Sequence, residues 1–162
     1  MTREILFKAK RKDNGEWVEG FLFKQQLESD VWCIGVNAIS ANDFSEIYGR
    51  NVDWFIIDPY TLCQYTGLTD KNGKKIWEND ILTCHKHEYD LVRVVFGEFN
   101  AIDADTLETI DRAVGWHTEV IETDALSKCE PFCLPMPLTD YYIDRGEMEV
   151  VGNVFDDLEV VK

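Results

Sequence analysis

Pro59-Tyr60-Thr61-Leu62-Cys63-Gln64-Tyr65-Thr66-Gly67-Leu68-Thr69-Asp70-Lys71-Asn72-Gly73-Lys74-Lys75-Ile76-Trp77-Glu78-Asn79-Asp80-Ile81-Leu82 is the stretch whose reading decides the fold. Asp58 ahead of Pro59 opens a turn, because proline pushes the preceding residue toward extended geometry and ends a ladder. Leu62–Thr66 then reads as extended, with Gly67 closing it. Asp70-Lys71-Asn72-Gly73-Lys74 is the clearest tight turn in the chain, and Asn72-Gly73 fits a type I′ turn with both central residues at positive φ. Ile76-Trp77 resume the chain, Glu78-Asn79-Asp80 bend it again, and Ile81-Leu82-Thr83-Cys84-His85 begin a new strand. Each polar residue here has a backbone reason: Asp58 and Asp70 suit turns whose amides they accept, and Asp80 suits a cap on the second bend. Tyr65, Ile76, Trp77 and Ile81 read as packing residues.

The same grammar runs outward in both directions. Ile5, Phe7 and Ala9 alternate with more polar neighbours, Asp13-Asn14-Gly15 supplies a turn, and Trp17–Phe23 returns as the second arm of a hairpin. Gly20 inside that strand marks a bulge or a close backbone approach. Val31–Val36 is a short strand, Asn37–Asn51 has no regular pattern, and Val52–Ile57 reads as a buried strand. Beyond the central stretch, Leu91–Phe96 is the strongest strand signal, with Gly97-Glu98 expected to turn it toward Phe99–Ile102. Asp103–Arg112 mixes charge and apolar residues as a loop or one or two helical turns would, and Val114–Ile121 reads as a strand. Pro131, Pro135 and Pro137 argue against regular structure from Lys128 to Asp140. Met148–Phe155 is a last strand, followed by an acidic turn at Asp156-Asp157.

Many short strands divided by Gly, Asn and Pro turns predict a mainly β protein. Closure into a small barrel is the economical way to remove free edges. The expected organisation is one domain over residues 1–162, with residues 103–147 an irregular, partly helical insertion or lobe.

Composition narrows function mainly by exclusion. Among 162 residues, 45% are hydrophobic and 12% aromatic, which is a globular composition and not a disordered one. Sixteen Lys and Arg against 31 Asp and Glu leave a formal net charge of −15. Such a field repels phosphate backbones and anionic lipid, so direct nucleic-acid binding is disfavoured. It also raises an alternative, an acidic inhibitor or mimic acting on a nucleic-acid enzyme. No apolar run is long enough to span a membrane and no signal-peptide core follows Met1, so a cytoplasmic setting is expected. Cys33, Cys63, Cys84, Cys129 and Cys133 are then expected as reduced thiols.

The ordered residues Arg3-Glu4-Ile5-Leu6-Phe7-Lys8-Ala9, Ile57-Asp58-Pro59-Tyr60-Thr61, Gln64-Tyr65-Thr66-Gly67-Leu68, Asp70-Lys71-Asn72-Gly73, Ile76-Trp77-Glu78-Asn79-Asp80-Ile81 and Val151-Gly152-Asn153-Val154-Phe155-Asp156 resemble the pattern of the YopX family of bacteriophage and prophage proteins. Trp77 stands where that family usually has Tyr, Asn79 where it has Gly, and Val151 and Val154 where it has Ile. Asn79 must therefore take over any positive φ that glycine would have held. The match is loose from His85 to Asp144. The resemblance implies a β-rich fold, homo-oligomeric assembly in a phage-carrying bacterial cell, and a further host or phage protein as partner. It implies no enzyme activity, no catalytic residues and no cofactor.

One side-chain set invites a metal. Cys84-His85-Lys86-His87 with Cys129-Glu130-Pro131-Phe132-Cys133 offers His85, His87, Cys129 and Cys133, a mixture that tetrahedral zinc accepts. On a strand, His85 and His87 would share a face. The His-x-His spacing departs from the usual zinc pairs, and the bland reading is a small buried Cys84 beside histidines at a strand end. No phosphate loop, dinucleotide fingerprint or nucleophile elbow is present. The residues singled out are thus the turn set Asp58, Pro59, Gln64, Tyr65, Gly67, Asp70, Asn72, Gly73, Asp80, Gly152 and Asn153. Their Gly, Pro, Asn and Asp chemistry is that of a fold signature.

Overall fold

The computed structural model describes residues 4–26, 30–36, 53–85, 87–103, 106–121, 126–129 and 133–156. Residues 37–51, Val52, Pro131 and Asp157 lie outside the described residues. The chain divides into two compact units, Met1–Tyr65 and Thr66–Lys162.

In the first unit, β1 (Phe7–Lys10), β2 (Trp17–Gln26), β3 (Asp30–Val36), β4 (Asp53–Ile56) and the start of β5 (Cys63–Thr69) are ordered β4-β3-β2-β1-β5. The expected β1–β2 hairpin forms with Ala9 opposite Val18. Directly opposed residues share a face, and Ala9, Val18, Ile34 and Ile57 form a core flanked by Phe7, Leu22, Val36, Phe55 and Leu62. Gly20 is the predicted close approach: a Cβ there would lie 2.1 Å from the Gly35 carbonyl oxygen. The reading of 52–57 as a buried strand needs correction. β4 has Asp53 and Trp54 exposed, and within it and the next residue only Ile57, which bridges to Arg11, is buried. Asp58 then opens a 3-10 turn over Pro59–Thr61 and accepts the Tyr60 amide.

The second unit holds the end of β5, β6 (Lys75–Trp77) beside it, and a five-stranded sheet. That sheet is built from β7 (Asp80–Cys84), β8 (His87–Ile102), β9 (Thr109–Val120), β10 (Met136–Pro137) and β11 (Glu149–Asn153), ordered β10-β9-β8-β7-β11. Its core joins Ile76, Leu82, Cys84, Val92, Val94, Leu138, Ile143, Met148 and Val150. Ile143 comes from the short helix α1 (Asp140–Arg145). That helix has a legible start and stop: the Thr139 hydroxyl accepts the Tyr142 amide, Asp140 sits in the first turn and Arg145 in the last.

Several local expectations change for physical reasons. Gly67, at φ 88°, does not end β5, which continues to Thr69. Gly97-Glu98 does not turn the chain, because Gly97 pairs with Gly115 and Glu98 with Val114 in a β8–β9 ladder whose register shifts only between Ala101 and Ile102. The turn falls later, where Asp103 accepts the Thr106 amide and Leu107 sits at φ 58°. Residues 109–112 are strand, so the segment 103–147 contains the second-longest strand of the fold as well as irregular chain. Met136–Pro137 does pair, but only at the outer edge of β9, the position in a sheet where proline is tolerated.

The fold is mainly β, as its turn grammar predicted, in two antiparallel sheets. Neither closes into the expected barrel among the described residues. Each unit has its own apolar cluster.

Candidate functional site

The signature residues of the second unit converge on β11. Asp70 is buried, and its Oδ1 accepts the amides of Asn72 and Lys74 at 2.8 and 2.9 Å while its Oδ2 accepts the Val150 amide at 3.1 Å. One carboxylate thus shapes the turn and ties it to a strand eighty residues away. The Gly73 amide donates to the Asp70 carbonyl, and Gly73 sits at φ 80°, whereas Asn72 is not at positive φ. The turn is therefore a type I turn with a glycine bulge and not type I′. The Asx-type bond from Asn72 to Asp70 holds the first central residues in the ordinary region. Burial by itself would push the Asp70 carboxyl up. The amides of Val150, Lys74 and Asn72 and the charge of Lys74 outweigh it and hold the group below its ordinary range.

Asp80 does the same for the second bend. Its Oδ2 accepts the Trp77 amide at 2.8 Å, and its Oδ1 accepts from Asn153 Nδ2 at 2.9 Å. Asn153 also donates to the Glu78 carbonyl, and its own Oδ1 accepts the Phe155 amide. Both side chains are 1% exposed, so every bond replaces one that water cannot supply. Asn79 stands between them at φ 62°, as anticipated for a residue replacing glycine. Gln64 is half-buried and Tyr65 buried, and Ile76, Trp77 and Ile81 are buried as well.

Of the Cys/His set, the His87 side chain lies outside the described residues. His85 is exposed at φ 54° in the turn after β7. Cys129 is exposed and Cys133 half-buried. Among the described residues no group of three or more His, Cys, Asp or Glu is placed to hold a metal ion. Cys84 is the small buried apolar residue of the bland reading: burial, aided by the charge of Asp90, pushes its thiol up to about 11.

A second locus escaped the sequence reading. An open cavity of about 660 Å³ is lined by Glu98, Phe99, Arg112, His117, Glu119 and Cys133, among others. His117, 3% exposed, stacks on Phe99 at 4.8 Å between ring centroids. Its Nδ1 lies 3.2 Å from the Gly115 carbonyl oxygen, and its Nε2 lies 3.9 Å from Glu119 Oε1. Glu119 Oε2 accepts from Arg93 at 2.8 Å, and Glu98 sits 3.9 Å from Arg112. The available signal was the spacing: His117 and Glu119, two apart on a strand, share a face.

The fold and its turn cluster define a small, mainly antiparallel β protein whose most deeply buried polar side chains serve the backbone. Residues 6–162 match the family described as YopX protein, and the chain belongs to that family. The match runs through both compact units. No curated protein matches the chain.

Proposed function

We propose that this chain is a non-enzymatic binding protein that assembles with copies of itself and engages a host or phage protein in a phage-carrying bacterial cell. The observation that carries the assembly reading is the β8–β9 ribbon. Among the described residues β7 pairs with β8 no further than Arg93, and β10 pairs with β9 only at His117 and Thr118, so the ribbon runs on there as two strands. Along it Phe96, Ile110 and Val114 are 52%, 68% and 66% exposed. A two-stranded ribbon is marginal in water unless something packs on it, and a second copy offers the same apolar residues in return. The binding-protein reading draws further support from the buried signature carboxylates, whose oxygens are taken up by amides and by Asn153.

Light scattering tests the assembly. A mass well above the 18.8 kDa of one chain is expected, falling toward it in a Val114→Lys, Ile110→Lys variant. A wild-type chain that stays monomeric at every concentration defeats the proposal. Affinity capture from lysogenic cells, repeated with that variant, addresses the heterologous partner.

A further inference from the structure

We infer that the cavity beside β9 is a binding site for a primary alkylammonium group, held between His117 Nε2 and Glu119 Oε1. The inference rests on reading the chain as a binding protein, but not on its self-assembly. A carbonyl oxygen can only accept, so the Gly115 oxygen 3.2 Å from His117 Nδ1 requires that nitrogen to carry the proton. In the neutral ring Nε2 is then an acceptor. It faces a carboxylate oxygen, also an acceptor, at 3.9 Å, too far for a direct hydrogen bond. Two acceptors across such a gap can both be met by one donor with several N–H groups.

The surroundings select the kind of donor. Stacking on Phe99 and near-complete burial fix the imidazole, and the Arg93 bond to Oε2 fixes the carboxylate so that Oε1 stays turned toward the ring. Phe99, Val120 and Pro135 supply apolar wall for an alkyl stem. Glu98 and Glu119 outnumber Arg112, the one Lys or Arg of the lining, so with a neutral ring the lining is net negative; the −15 of the whole chain likewise favours a cation over an anion. An ammonium offers three donors and a charge, and charge-assisted bonds are the strong ones. The group can come from a free diamine or from a lysine side chain.

Titration with 1,5-diaminopentane, followed by nitrogen-detected NMR of the His117 ring, tests this in the full chain. A saturable shift of the Nε2 resonance at pH 8 is expected. Glu119→Gln, a half-exposed position whose change leaves the fold intact, should weaken binding about tenfold. Tetramethylammonium, with the charge but no N–H, should not compete. Acetyl-lysine methylamide carries the same ammonium on a peptide unit: tighter binding than the diamine assigns a lysine side chain, and weaker binding a free amine. The inference is overturned by the absence of a saturable shift, by equal binding of tetramethylammonium, by binding that ignores Glu119→Gln, or by zinc producing the shift in place of the amine. Each of these leaves the light-scattering result on assembly untouched.

Discussion

Asp70, Asp80 and Asn153 tie the two central bends to β11 through buried side-chain hydrogen bonds, and Asn79 holds the second bend at positive φ. The Asp70 carboxyl titrates below its unfolded value of about 3.9. Its contribution is therefore fully present above that value and is lost as pH falls through the lower folded one. Urea midpoints of wild type and Asp70→Asn, compared from pH 7 to pH 3, should converge on acidification; a constant gap between them would contradict the assignment. Asp80→Ala and Asn153→Ala each leave buried groups unpaired and should cost about 2–3 kcal/mol. The double variant should cost less than the two together, since the partners share a bond. Strict additivity in denaturant unfolding would show that the bond is not formed. Asn79→Gly removes a left-handed penalty and should be neutral or stabilising, while Asn79→Val at the same φ of 62° should lose at least about 1 kcal/mol.

At the level of elements, the glycines separate cleanly. A Cβ at Gly20 would strike the Gly35 carbonyl of β3, so Gly20→Ala must force β2 and β3 apart and should cost about 1–3 kcal/mol or more. Gly115 on β9 has nothing within 4 Å of a built Cβ and no positive φ, so Gly115→Ala should be tolerated or mildly stabilising. Thermal melts of the two variants decide this, and similar losses for both would sink the steric account. The difference was half legible beforehand: Gly20 stood out within a strand pattern, whereas the neighbour it meets belongs to a different strand. The β8–β9 ladder shows the converse. Gly97 was read as a turn from its identity, yet a glycine in a ladder is permitted by both conformations, and pairing with Gly115 chose the extended one. Helix α1 carries its start and stop in Thr139, Asp140 and Arg145, directly after a proline-containing segment that has little regular structure of its own.

Over the whole molecule, burial sorts the five thiols. Cys33, Cys63 and Cys84 are buried, and burial pushes the Cys33 and Cys84 thiols up. Cys129 and Cys133 are accessible. A thiol-disulfide reagent should therefore modify two cysteines promptly in the native protein and all five in denaturant. Prompt reaction of a third would mean that one of the cores is open. No helix among the described residues is long and apolar enough to cross a membrane.

Turn chemistry is local: an Asp, Asn, Gly or Pro constrains φ or accepts an amide within a few residues. The sequence by itself therefore determined the mainly β class, the hairpin of β1 and β2, the bends around Asp58, Asp70 and Asp80, the left-handed Asn79 and the family. Strand order, the two separate cores, the length of β8 and β9, and the junction of Asp70 and Asp80 with β11 depend on contacts between residues far apart in the chain. Only the tertiary structure decided those. The same is true of His117, whose meaning lies in a carbonyl, a ring and a carboxylate that the fold sets around it.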